Sequence, residues 1–452
     1  MVKMLYSTNK RSPNVSFREA VLKGQASDKG LYIFDKIPLI SNEEIFDFKS
    51  LNLKEIAFEI LYQYLEEDFT EKILKNIINK ALNFPIPTKL ITDNNYICYL
   101  DKGPTCSFKD VGARMLASFM EYFLIEEDIK TIILTATSGD TGGAVAQAFH
   151  NKKNIEVIVL YPKDEISTLQ RKQMTTLGDN ITAIGINGKF DDCQRFAKNA
   201  FADSDLSQLN LTSANSINIG RLLPQAIYYF KSYSDIIEHK NEKVIFSVPS
   251  GNFGNLTGGL IAKRMGLPVK RFISAVNEND EFPSFLAKGY YEKVQPSRVC
   301  ISNAMNVGHP SNLARLIELY NGHLDEEGNL LKNPDINEIR NDIISYSITD
   351  EITKETIIDF NNKFDILIDP HGAVGWAALL RYQNEFPTEE AIKSINFETA
   401  DPAKFPEQII NLTHKHPKIP NSLEIIRQKK ETQISLEIAN YHDFKTFLQK
   451  NF

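Results

Sequence analysis

Two segments carry one physical signature, a β-branched run that ends in glycine and opens into a helical stretch. They are Ser138-Gly139-Asp140-Thr141-Gly142-Gly143 and Ser250-Gly251-Asn252-Phe253-Gly254-Asn255. Glycine lets backbone approach an anion closely, and the free N–H groups and positive dipole end of the following helix stabilise negative charge. Either turn can hold a phosphate or carboxylate, and either can equally be a plain strand-to-helix connection. Neither has the spacing of a P-loop or of a dinucleotide fingerprint. A third segment, Ser107-Phe108-Lys109-Asp110-Val111-Gly112-Ala113-Arg114, places a lysine beside an aromatic ring. By composition Lys109 reads as a solvated surface residue. Its chemical reading is a Schiff-base lysine, which needs a low-pKa amine in a desolvated pocket with Phe108 as a wall.

These residues need elements to position them. From about Thr131 the chain repeats strand, glycine turn and helix: TIILTAT before SGDTGG and AVAQAFH, EVIVLYP, ITAIGI before FDDCQRFAKNAFA, KVIFSVP before SGNFGN and LTGGLIAKRMG, then RFISAVN. Such units predict a largely parallel sheet covered on both faces. FDILIDP and AIKSINFETA read as further buried strands with GAVGWAALLRYQ as a helix between them. Before residue 85 the apolar positions of NLKEIAFEILYQYLEEDF and TEKILKNIINKALNFP recur at three and four, the spacing of amphipathic helices. The reading divides the chain into a mainly helical region over 1–90 and an α/β body over 91–452. Within the body a small lobe spans about 110–225 and a large lobe takes the remainder.

The 452 residues suggest two or three domains at about 150 residues each. Charge sums to −7, from 51 Lys plus Arg against 58 Asp plus Glu, which argues against broad phosphate neutralisation on nucleic acid. Cys98, Cys106, Cys193 and Cys300 show no CxxC spacing, so we expect a reducing cytoplasm and no metal centre. No stretch approaches the roughly 18 apolar residues of a membrane span. His309 and His371 read as loop-structuring donors, Trp376 as core, and Cys106 as a small buried residue.

SFKDVGAR, TSGDTGG, NSINIGRLLPQ at 215–225, PSGNFGN, SNAMNVGHPSN at 302–312 and ETADPAKFPE at 398–407 together resemble the ordered motif set of the threonine synthase family. These are pyridoxal-phosphate enzymes of the tryptophan-synthase-β, or fold type II, architecture, with two open parallel-sheet lobes. The match runs from about residue 80 to 410, and SFREAVLKGQASDKGLYI near the amino terminus resembles the family as well.

The resemblance implies that Lys109 carries pyridoxal 5'-phosphate in Schiff-base linkage beside Phe108 and Asp140. It assigns the cofactor phosphate to Gly251, Asn252, Phe253, Gly254 and Asn255, and the pyridine nitrogen to Thr399. Ser138, Gly139 and Thr141 would lie near the substrate carboxylate. Lys163, Arg114, Arg221, Asn215, Ser216 and Asn218 are the substrate-binding set proposed around a second phosphate, although the arginines can instead form structural ion pairs and the asparagines can be caps. The implied reaction converts O-phospho-L-homoserine and water to L-threonine and phosphate, in a monomer or homodimer. Rival readings are a dehydratase or β-replacement enzyme on the same scaffold, or a non-catalytic ligand-binding relative. Two positions depart from the commoner pattern: Asp140 stands where asparagine is usual and Asp401 where histidine is. A carboxylate facing the cofactor's phenolic oxygen is repulsive, so Asp140 is expected to turn away or share a proton.

Overall fold

The computed structural model describes residues 3–137, 139–432, 434–436 and 441–452. Four amino-terminal helices start where a side-chain oxygen can take an orphan N–H. Ser16, Ser41 and Asn52 form capping boxes with Glu19, Glu44 and Glu55, and Thr70 caps the fourth. Helix Leu53–Leu65 buries Ile56, Ile60, Leu61 and Tyr64, and helix Glu71–Ala81 buries Leu74, Ile77 and Ile78. Phe17 and Phe69 meet Phe119 of helix Lys109–Glu127 at 5.4 and 5.5 Å between ring centroids. The region also contains an antiparallel ribbon, Leu5–Ser7 with Tyr32–Phe34.

Its apolar side chains belong to the same core as those of the body, a cluster running from Leu5 to Phe397. The boundary expected near residue 90 falls inside an antiparallel strand pair, Thr88–Thr92 with Asn95–Tyr99. Pro85 and Pro87 end the helical texture, but the chain enters the large sheet immediately after them.

That sheet has the spatial order Ile343–Ser347, Val269–Val276, Val244–Pro249, Ser394–Glu398, Asn95–Tyr99, Thr88–Thr92, parallel throughout except for the last pair. The second sheet runs Ile434–Leu436, Ile181–Ile186, Ile155–Pro162, Thr131–Ala136, Leu211–Thr212, all parallel. Every residue of Thr131–Ala136 and of Val244–Pro249 is buried, as strands covered on both faces require. The carboxyl end of the chain returns to this second sheet: Ile434–Leu436 adds its edge strand, and helix Tyr441–Asn451 packs Phe444 on Phe196 at 5.9 Å. The second sheet therefore takes an edge strand from far outside the span of about 110–225.

FDILIDP is not a strand. Helix Asp350–Phe364 ends inside it, residues 366–369 are irregular, and Asp369 caps helix Pro370–Glu385. Pro370 at the first helical position explains the turn, since proline lacks an N–H that would be orphaned there anyway. Trp376 packs edge-on against Phe360 at 4.9 Å, in the core as its spacing suggested. No helix among the described residues is long and apolar enough to cross a membrane.

Candidate active site

Lys109 opens helix Lys109–Glu127, and its place is set by a distant segment. The Phe108 N–H donates to the Thr399 carbonyl at 2.9 Å, Ser107 bridges Ala400, and the Asp401 N–H donates to the Cys106 carbonyl at 3.0 Å. Thr399 directly follows the central strand Ser394–Glu398, so sheet register and this backbone pairing together bring it beside Lys109. The Lys109 amine lies 4.6 Å from the centroid of the Phe108 ring and 3.9 Å from Asp140 Oδ2. Burial pushes it down to about 8. Asp140 and Asp369 oppose that shift, while Lys404 and Arg221 add to it. An amine near 8 is neutral in roughly a tenth of molecules at pH 7, against fewer than about one in a thousand for an ordinary lysine.

Asp140 is engaged by a buried lysine and a buried amide. Lys404 Nζ stands 2.6 Å from its Oδ1, and Gln170 Nε2 donates to the same oxygen at 3.0 Å. Burial alone raises a carboxyl. Here Lys404, Lys109 and the hydrogen bonds overcome it and hold Asp140 well below the usual carboxylate range. Lys404 is fully buried and also donates to the Thr105 carbonyl at 3.0 Å. Asp401 accepts from the Ala403 N–H at 2.9 Å and caps the turn Pro402–Lys404, so its departure from histidine has a structural use. Thr137 Oγ1 accepts from the N–H groups of Gly139 and Gly142 at 2.9 and 2.8 Å. Gly139 has φ +136°, and a Cβ there would lie 2.6 Å from the Gln170 amide, so only glycine fits. Thr141 follows Asp140 in the first helical turn, half-buried; Ser138 lies outside the described residues.

The second glycine turn is held by neutral groups. Asn252 Oδ1 accepts from the N–H and hydroxyl of Ser311 at 3.4 and 3.3 Å, and the Asn252 carbonyl accepts from the Asn312 N–H at 3.2 Å. Phe253 takes a left-handed φ of 59° and buries its ring against Phe282, 4.9 Å between centroids. A Cβ on Gly251 would sit 2.9 Å from the Ala304 carbonyl oxygen. Asn255 Oδ1 accepts from the hydroxyls of Tyr228 and Tyr229, both at 2.8 Å, which leaves its buried Nδ2 with no partner. An orphan amide donor beside the free N–H groups that begin helix Gly254–Arg264 fits an anionic oxygen. A cofactor phosphate suits this donor set.

Beneath the Gly251 turn runs a buried network. Asp369 accepts from the N–H groups of His371 and Gly372 at 2.8 and 3.2 Å and of Ala400 at 3.3 Å, as well as from His371 Nδ1. His371 Nε2 accepts from the Ala304 N–H at 3.1 Å, so its proton is on Nδ1. The imidazole thus ties the residue after Thr399 to the floor beneath Gly251.

The substrate-binding set separates. Arg221, 4% exposed, donates through Nη1 to the Ala214 carbonyl at 2.8 Å, and its buried Nε has no partner. Burial pushes the guanidinium down to about 10, with Asp110 opposing. Asn215 Oδ1 is likewise buried without a partner. The Ser216 carbonyl accepts from Asn312 Nδ2 at 3.3 Å, beside the Gly251–Asn255 turn. Lys163 is half-buried just past strand Ile155–Pro162, its stem packed on Gly185. Asn218 is a cap: Oδ1 accepts from the Gly220 N–H at 2.9 Å, and Nδ2 donates to the carbonyls of Val21 and Ser213 at 2.9 and 3.3 Å. Arg114 is turned from the site. It donates to the carbonyls of Ala81 and Lys80, at 2.7 and 2.9 Å, and to Asn83 Oδ1 and Gln147 Oε1, at 3.0 and 3.3 Å. Its guanidinium clamps the carboxyl end of helix Glu71–Ala81, where carbonyls lack helical partners. Tyr228, Tyr229, Gln170 and the Asp369–His371 pair went unrecognised in the sequence. The tyrosines lie in the apolar run AIYYF, where only their need for a hydroxyl partner sets them apart from core residues.

A low-pKa lysine at a helix start, at the carboxyl ends of parallel strands and opposite a turn built for an anion, defines the class: a pyridoxal-phosphate-dependent enzyme of fold type II. The family model described as pyridoxal-phosphate dependent enzyme matches residues 94–396, with threonine synthase amino- and carboxyl-terminal models over 4–82 and 372–448. Threonine synthase of Buchnera aphidicola subsp. Schizaphis graminum is 38% identical over 424 residues, covering 93% of this chain and 94% of that one. The crystal structure of pyridoxal-phosphate-bound threonine synthase from Brucella melitensis superposes with TM-score 0.92 at 30% identity, covering 99% of both chains. That of Escherichia coli threonine synthase gives 0.88 at 34%, over 99% of this chain and 100% of the other. The chain belongs to the threonine synthase family.

Proposed function

We propose that the chain converts O-phospho-L-homoserine and water to L-threonine and phosphate, with Lys109 as its catalytic residue. The observation that carries this reading is one depressed amine accompanied by two separate buried donors without partners, Asn255 Nδ2 in the Gly251–Asn255 turn and Nε of the Arg221 guanidinium. A reaction with a phosphate on the cofactor and another on the substrate needs both.

Pyridoxal phosphate, when bound, supplies an electron sink for carbanions next to the substrate amine. Lys109 would hold the cofactor, and its Nζ, when free, would be the base for the Cα proton, a role that suits an amine near 8. The N–H groups of Gly251 to Asn255 and the Asn255 amide hold the cofactor phosphate. Thr399, buried beside Lys109, would offer its hydroxyl to the pyridine nitrogen. Arg221 grips the substrate phosphate with help from Asn215 and Lys163, and Gly139 and Thr141, with Ser138, bind the substrate carboxylate. Phe108 walls the pocket over the Lys109 amine. The reading includes a cytoplasmic location, which four buried free cysteines support, and a monomer or homodimer.

Incubating the purified enzyme with O-phospho-L-homoserine should release phosphate and threonine in equal amounts. Ketoacid release from threonine without phosphate release from phosphohomoserine would favour the dehydratase reading instead.

A further inference from the structure

Asp140 presents one oxygen to each of two lysines. Lys404 Nζ is 2.6 Å from Oδ1, and Lys109 Nζ is 3.9 Å from Oδ2. All three groups are shielded from water, with side chains 0% exposed for Lys404, 2% for Asp140 and 12% for Lys109. In such a site an unopposed carboxylate at this distance would hold a lysine as its ammonium. That would defeat an amine that must accept a proton. The closer and fully buried lysine takes up most of the carboxylate's charge. Its geometry is fixed independently of Lys109, by the Thr105 carbonyl at 3.0 Å and by the Asp401-capped turn Pro402–Lys404. Gln173 Nε2 donates to the same Thr105 carbonyl at 3.0 Å, and Gln170 Nε2 to Asp140 Oδ1 at 3.0 Å.

We infer that Lys404 is a positioning residue for the reaction: by pairing with Asp140 it cancels the carboxylate's pull on Lys109 and keeps the Lys109 amine available as a base. The aspartate in the SGDTG turn and the lysine in the PAKF segment then form one unit. The turn carries a charge that only a second buried lysine makes compatible with the first. Charged groups acting on Lys109 are Asp140 and Asp369 on the anionic side, and Lys404 and Arg221 on the cationic side. Removing one partner of the Asp140–Lys404 pair unbalances that set in a direction set by the sign of the charge removed. A merely structural role for Lys404 gives no such sign rule.

The inference rests on Lys109 being the cofactor-bearing amine, and the test separates the two. Full-length chain freed of cofactor is acetylated with acetic anhydride across pH 6 to 11, and the Lys109 peptide is quantified by mass spectrometry to give the amine's midpoint. The wild-type midpoint is expected near 8. Lys404→Met should raise it by about one unit or more and Asp140→Asn should lower it; the double variant should fall between the two, and Lys404→Arg should leave it in place. Shifts of the same sign in Lys404→Met and Asp140→Asn, or no shift in either, would overturn the inference. Should Lys404→Met fail to fold, Asp140→Asn and Lys404→Arg decide: an unmoved midpoint in the former, or a displaced one in the latter, overturns it. Borohydride reduction of the holoenzyme followed by peptide mapping checks the premise. An adduct on a lysine other than Lys109 removes the reading and the inference together, whereas an adduct on Lys109 with same-sign shifts removes the inference alone.

Discussion

The two glycine turns look alike in sequence and are built on opposite principles. Gly251–Asn255 is anchored by hydroxyls, amides and a buried ring, and it leaves donors over, the Asn255 Nδ2 and the N–H groups of a helix start. Gly139–Gly143 is anchored by charge: Asp140 is locked to Lys404 and Gln170 and faces Lys109. A neutral frame with spare donors suits an anion that is held throughout turnover. A compensated ion pair suits the place where a proton must move, because its charges can be set against each other. What decides the job of a glycine turn is therefore the residue that follows the glycine and the partner it finds across the fold.

Breaking the neutral turn should cost most. Asn255→Asp keeps an acceptor for both tyrosine hydroxyls but replaces the orphan donor by a second acceptor. Cofactor affinity should fall about a hundredfold or more in an absorbance titration, the worth of about 3 kcal/mol for a hydrogen bond to charge made repulsive. Breaking the charged turn should look different. Gly139→Ala forces a side chain into a positive-φ position against Gln170, and the strain, on the order of 1–3 kcal/mol, should lower kcat by tens of fold while cofactor affinity stays near wild type. Equal losses of cofactor affinity in both variants would erase the distinction. Arg221→Lys should raise the KM for phosphohomoserine by about tenfold, since an ammonium cannot reproduce a bidentate phosphate contact. Arg114→Ala should leave that KM untouched and lower stability by about 2 kcal/mol in chemical denaturation, because its hydrogen bonds all go to the helix Glu71–Ala81 region and Gln147.

The strand, turn and helix repeats were legible because β-branched runs and glycines act locally, and both turns lie where that texture put them. The pairing of Lys109 with Thr399 was legible only through family motifs; no periodicity links residues joined by sheet register. Arg114 and Arg221 were indistinguishable, each a cation at an apparent helix start, because the difference lies in which face packs on another element. Lys404 was hidden in the same way. Aspartate at 140 was expected to turn away or share a proton, and nothing local said that a buried lysine of the PAKF segment would pair with it. FDILIDP misled because an apolar run of that length fits a strand as well as the irregular approach to a capped helix. The edge strand at 434–436 is short and joins the small sheet from far along the chain, so its partner could not be read from its own residues.

Borohydride reduction of the holoenzyme, proteolysis and mass spectrometry of the lysine-containing peptides test the central claim most directly. Two lysines flank Asp140, and only one of them is assigned the cofactor. The account predicts the reduced pyridoxyl-phosphate mass on the peptide containing Lys109 and its disappearance in Lys109→Ala. The same mass on the Lys404 peptide, or an adduct that survives Lys109→Ala, would contradict it.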